Sequence, residues 1–93
     1  MARWMITVEY PKLDSGPGME TIAEFDGTRE DAERMLADTA RTHKSARRER
    51  RRLIYRYAGG DAYYVYVMGA VLTHEMVFRA AELVWNSDWE PRQ

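Results

Sequence analysis

The sequence predicts an α+β domain, a single antiparallel sheet with one helix packed on one face, in the order ββαβββ. Three observations lead there. Residues 4–10 and 19–26 alternate with a period of two, as half-buried strands do. Residues 28–44 carry one apolar stripe at helical spacing behind a capping signal. Residues 52–69 read as a tyrosine-rich hairpin closed around Gly59-Gly60.

Ninety-three residues form one domain, 1–93, with room for a single core. The chain has 45% hydrophobic and 31% charged residues, an ordinary globular balance that argues against disorder. With no cysteine, a disulfide framework and a thiolate metal site are both excluded. Residues 1–9 lack the pattern of a signal peptide, and the longest apolar run, Val65 to Leu72, is too short to span a bilayer. A soluble, cytoplasmic protein without a membrane partner is the expectation.

In the first strand Trp4, Ile6, Val8 and Tyr10 alternate with Met5, Thr7 and Glu9, and Pro11 ends it. Residues 12–18 hold Asp14-Ser15-Gly16-Pro17-Gly18, a turn-forming loop. The second strand places Met19, Thr21, Ala23 and Phe25 on one face and Glu20, Ile22, Glu24 and Asp26 on the other. Gly27 breaks it. Thr28-Arg29-Glu30-Asp31 then resembles a capping box, with Asp31 in the place of the usual Glu or Gln. Ala32, Met35, Leu36, Thr39, Ala40 and His43 follow on one helical face.

Residues 44–51 read as a basic, flexible connection, because Ala46 is their one apolar residue. Arg52–Ala58 and Ala62–Gly69 are the next two strands. A three-residue loop would pair Leu53, Tyr55 and Tyr57 with Val67, Val65 and Tyr63 as a core face. The other face would then show Arg52, Ile54, Arg56, Tyr64, Tyr66 and Met68. A two- or four-residue loop exchanges the faces of one strand relative to the other. The three-residue loop separates apolar from basic-aromatic residues more cleanly and is the one expected.

Residues 73–86 are balanced between two forms. Glu75, Arg79, Glu82 and Asn86 lie on one helical stripe, which would give the order ββαββα. As a strand the segment places Met76, Phe78, Ala80 and Val84 on one face, interrupted by Glu82. Three stretches, Trp4 to Tyr10, Gly27 to Leu36 and Ala81-Glu82-Leu83-Val84, resemble small uncharacterised actinomycete proteins of similar length. That resemblance covers most of the chain, implies a strand here and implies no activity. The strand is the reading adopted. Residues 86–93 are read as a terminal tail.

The dominant chemical feature is cationic. Between residues 41 and 56, Arg41, Lys44, Arg47, Arg48, Arg50, Arg51, Arg52 and Arg56 meet one acid, Glu49, for a net +7. The whole chain carries −1, so the remainder carries −8. Arg47, Arg48, Arg50, Arg51 and Arg52 form a candidate polyanion-binding cluster, since guanidinium forks suit phosphate. A solvated loop that pairs with its own acidic surface is the favoured explanation of the run, and the negative remainder would repel a long polyanion. Glu20, Glu24 and Asp26 are read as an acidic strand face that would dock that cluster, in this chain or a second subunit.

If one helix covers one face of a five-stranded sheet, the other face stays open. Tyr64, Tyr66, Met68 and Arg56 are the candidate interaction face there, and such a face usually marks an interface. The two histidines, His43 and His74, lack zinc-protease spacing, so no metal or cofactor is expected. Gly16-Pro17-Gly18 has neither a phosphate-loop nor a dinucleotide pattern, and no nucleophile–base pairing is visible, so no enzyme is expected. The reading is a non-catalytic interaction module, a homodimer or the binder of a protein partner through its Tyr-rich sheet face. The alternatives are a small nucleic-acid-associated accessory protein and a small-molecule binder with its pocket between helix and sheet.

Overall fold

A computed structural model of the protein describes residues 1–11, 16–44 and 48–89. The strands are β1 (Ala2–Tyr10), β2 (Gly18–Gly27), β3 (Glu49–Arg56), β4 (Ala62–Gly69) and β5 (Thr73–Glu82), with helix α1 (Arg29–Thr42) between β2 and β3. The order is ββαβββ, as the sequence predicts. All pairings are antiparallel, and the spatial order is β2-β1-β5-β4-β3. The last strand therefore inserts at the centre, between the two hairpins.

Residues 73–82 are a strand because both faces of β5 are packed. Met76 and Phe78 are buried under the helix, and Val77 is 8% exposed on the opposite face. A central strand loses the clean alternation of a half-buried one, and this is why its periodicity resembled a helix.

The helix starts where the capping signal stands. Thr28 Oγ1 accepts from the Asp31 backbone N–H at 3.1 Å, and the Asp31 carboxylate accepts from the Thr28 N–H at 2.9 Å. Gly27 is required beside it, because a Cβ there would lie 2.9 Å from Asp31 Oδ2. The Trp4 indole N–H donates to the Gly27 carbonyl at 3.1 Å and ties the same corner to β1. Ala32, Leu36 and Ala40 are the buried helix positions. Leu36 and Ala40 meet Ile6, Val8, Val65, Val67, Met76 and Phe78 in one core. Each fully buried large side chain there contributes about 1.5–3 kcal/mol.

Two registers differ from those expected. In β2, Ala23 pairs with Ile6 but Thr21 pairs with Thr7, so Ile22 is an extra residue in a bulge. The bulge exchanges faces part-way along the strand. Ala23, Phe25 and Glu20 face the helix, while Met19, Thr21, Glu24 and Asp26 lie on the open face. The single acidic face of Glu20, Glu24 and Asp26 is therefore corrected. Ile22 itself packs against the core, and its burial accounts for the bulge.

In the β3–β4 hairpin, Arg52, Ile54 and Arg56 pair with Val67, Val65 and Tyr63, while Leu53 and Tyr55 pair with Tyr66 and Tyr64. Tyr57 closes the loop by donating to the Ala62 carbonyl at 3.0 Å, leaving four residues, 58–61, in the loop. Gly60 turns there with φ +80°, a left-handed conformation suited to glycine. The expected three-residue loop is thus replaced by the four-residue one. Contacts outside the hairpin hold this register: the Asp61 carbonyl accepts from Ala80 N–H at 3.1 Å, and Arg52 reaches the helix.

β3 also starts at Glu49, earlier than Arg52. Residues 49–51 belong to the strand, and only 45–47 of the expected connection lie outside the described residues. Glu49, Arg50 and Arg51 are exposed at the sheet edge, so no apolar alternation marks them. At the C-terminus Ser87–Trp89 make a short 3-10 turn, and residues 90–93 lie outside the described part.

Candidate interaction surfaces on the sheet

The sheet presents two candidate features, an open face and a basic edge. Opposed residues of antiparallel strands share a face, so the register fixes what the open face holds. Across β3, β4 and β5 it carries Leu53, Tyr55, Tyr64, Tyr66, Met68 and Val77. Towards β1 it carries Thr7 and Met5. Tyr64, Tyr66 and Met68 are therefore brought together as expected. Arg56 is not with them. It pairs with Tyr63 and lies on the helix side of the sheet, so its place in that face is corrected.

The open face has an internal organisation. The rings of Tyr55 and Tyr64 sit 6.3 Å apart at an interplanar angle of 58°. Desolvation pushes the Tyr64 phenol up to about 12, helped by a hydrogen bond to Glu75 and by the negative field of that carboxylate. Beside it, Arg79 Nε donates to Glu9 Oε1 at 3.2 Å across β5 and β1. Although no helix covers this side, Thr7 is 5% exposed and Val77 8%. Glu75 and Arg79 of β5 and Glu9 of β1 share this face with Val77 and the tyrosines, so apolar and balanced charged positions alternate across its middle.

The arginines divide into two groups. Arg3, Arg29, Arg34, Arg41, Arg52 and Arg79 each hold a carboxylate, with Asp26, Glu33, Asp31, Asp38, Glu49 and Glu9 respectively. Lys44, Arg48, Arg50, Arg51 and Arg56 hold none among the described residues. Four of these five lie in or next to β3, the edge strand.

Arg52 leaves the candidate polyanion cluster. Its Nη1 donates to the Ala40 carbonyl at 2.7 Å and its Nη2 to the His43 carbonyl at 2.6 Å. Its Nε and Nη2 also bind the Glu49 carboxylate at 3.0 and 2.7 Å. The side chain is only 10% exposed. A cation thus caps carbonyls at the negative end of the helix dipole. Arg48, Arg50 and Arg51 remain available, and Arg47 lies outside the described residues.

Sequence reasoning missed a small network at the helix C-terminus. The Tyr10 hydroxyl donates to Glu20 Oε1 at 2.7 Å and lies 3.1 Å from His43 Nε2. Burial, with Glu20 adding to it, pushes Tyr10 up to about 12. His43 stands edge-on to Phe78, with ring centroids 5.5 Å apart. The bulge at Ile22 turns Glu20 to this side, and nothing in the local alternation announces it.

Several cavities border the sheet. One of about 510 Å³ lies between α1 and β2, with Asp31 and Asp38 in its wall, both already engaged by arginines. Another of about 320 Å³ is walled by Trp4, Met5, Ala81, Leu83, Val84 and Trp85. The Leu83 N–H extends the β1 ladder by donating to the Arg3 carbonyl at 2.8 Å, which brings Leu83, Val84 and Trp85 to this wall. Among the described residues, no three His, Asp or Glu side chains are arranged to hold a metal ion. No helix of the described residues is long and apolar enough to cross a membrane.

No family model matches the chain, and searches of curated proteins and of solved structures return no significant match. The functional reading therefore rests on the geometry.

Proposed function

We propose that this protein is a non-catalytic interaction module that self-associates through the open face of its sheet. One observation carries the reading: opposite the helix, Tyr64, Tyr66, Met68, Leu53 and Val77 share one face of the sheet, and among the described residues no helix lies over it. Tyrosines and a methionine beside balanced charges are the composition of protein interfaces. A second copy suits the face better than a strongly charged partner does. A two-fold dimer presses the same patch against itself, so a patch of one sign would be repelled. Here Glu9 is neutralised by Arg79, and Glu75 lies beside the Tyr64 hydroxyl.

Sedimentation equilibrium over a concentration series tests the proposal. The native chain should dimerise, and Tyr66→Arg should give a folded monomer. The new cation would face Glu75 within its own sheet, which protects the fold, and would repel its symmetry mate in the dimer. A native chain that stays monomeric throughout would refute self-association.

A further inference from the structure

We infer that the β3 edge is a binding strip for single-stranded nucleic acid, a function beyond self-association whose Arg51 and Tyr55 also border the open face. The cations without a carboxylate partner define it. Arg48, Arg50 and Arg51 stand at one end of the strand, Arg56 stands at the other, and Lys44 lies just before them in the chain. Residues 48–56 of an extended chain span about 26 Å at roughly 3.3 Å per residue. That length suits several nucleotides of an extended strand.

Aromatic faces complete the strip. Tyr55 is 59% exposed and Tyr57 46%, both flanking Arg56. Exposed rings on one side of an edge strand, with guanidinium groups on both sides of it, offer stacking surfaces and phosphate contacts to the same bound strand. A duplex keeps its bases stacked and would use only the cations, so the exposed tyrosines select a single strand.

The negative surplus of the chain does not cancel the strip. Glu20 and Glu24 lie on β2, the opposite edge. Four strand spacings of about 4.8 Å put that edge roughly 19 Å away. The screening length at physiological salt is about 8 Å, so the far edge is screened from a strand bound at β3. Within β3 the one acid, Glu49, is already taken by Arg52, and a single further acid, Asp61, lies in the hairpin loop beyond Arg56. Local charge therefore governs, and it is positive.

Fluorescence anisotropy with a labelled oligothymidine of about twelve nucleotides tests the inference, with salt varied between roughly 25 and 200 mM. The native chain should bind at low salt. Affinity should fall with a log–log salt slope of about −2.8 to −3.5, for four or five phosphates on a single strand. R48Q/R50Q/R51Q/R56Q should lose most of the affinity while keeping its circular dichroism spectrum, and the double variant R50Q/R51Q should halve the slope. Y55A/Y57A should weaken the oligonucleotide about tenfold or more and leave binding of an equal-length duplex unchanged. No binding at about 25 mM salt would overturn the inference and leave the arginines as guards against edge pairing. Polyglutamate binding as tight as the oligonucleotide would overturn it too, assigning the strip to an acidic protein.

Discussion

The guanidinium of Arg52 donates to the carbonyl oxygen of Ala40 at 2.7 Å, joining the edge strand to the last turn of the helix. A single side chain thereby satisfies two helix carbonyls and one carboxylate from a nearly enclosed position. The same contact selects the hairpin register, because only a helix-facing Arg52 can make it. Arg52→Gln should destabilise the fold by about 2–4 kcal/mol in urea titration, given the usual worth of charge-assisted hydrogen bonds. Arg51→Gln, on the open face without a carboxylate partner, should change stability by less than about 0.5 kcal/mol.

The capping box makes stability fall in acid. Hydrogen bonds from the Thr28 backbone and side chain hold the Asp31 carboxyl below its usual value, and the Arg52 hydrogen bond does the same for Glu49. A lowered folded pKa contributes stability above the unfolded carboxylate range and loses it as pH drops through the folded value. Stability should therefore decline as pH falls below about 4. Asp31→Asn should flatten that decline in thermal melts taken across the acid range. Thr28→Ala should cost about 1 kcal/mol near neutrality.

Alkali acts in the opposite sense on two tyrosines. Tyr10 and Tyr64 are each raised to about 12, mainly by desolvation, with a carboxylate adding to the effect. Because the folded values are raised, the associated stability is full below about 10 and is lost as pH climbs through 12. Tyrosinate absorbance should show two late-titrating phenols. Tyr64→Phe should remove one of them and leave the Tyr10 step in place.

The hairpin loop offers an internally controlled pair of glycines. Gly60 has φ +80°, whereas Gly59 lies outside the left-handed region. Gly60→Ala should cost about 1–2 kcal/mol through the left-handed conformation alone. Gly59→Ala should be close to neutral, since its new methyl meets only the Asp61 carboxylate oxygen at 3.3 Å. Comparable losses at both positions in denaturant titration would contradict the four-residue loop.

What could be read from the chain followed the range of the forces involved. The Thr28–Asp31 box, the Ala32–Leu36–Ala40 stripe and the alternation of β1 are local, and each was visible in the sequence. The Ile22 bulge was not, because it is set by pairing with β1 sixteen residues earlier in the ladder at Ile6. Arg52 read as one more member of a charged run, although its partners Ala40 and His43 lie at the end of the preceding helix and at its C-cap. The grouping of Tyr64, Tyr66 and Met68 was legible from β4 alone. The departure of Arg56 from them was not, since the hairpin register depends on β5 and the helix.

Intermolecular nuclear Overhauser contacts in a sample mixing labelled and unlabelled chains test the central claim most directly. Self-association through the open face predicts contacts between copies that involve the rings of Tyr64 and Tyr66 and the methyl groups of Met68 and Leu53. Intermolecular contacts confined to the β3 edge or to Trp85 and Trp89, or none at concentrations near the solubility limit, would contradict it.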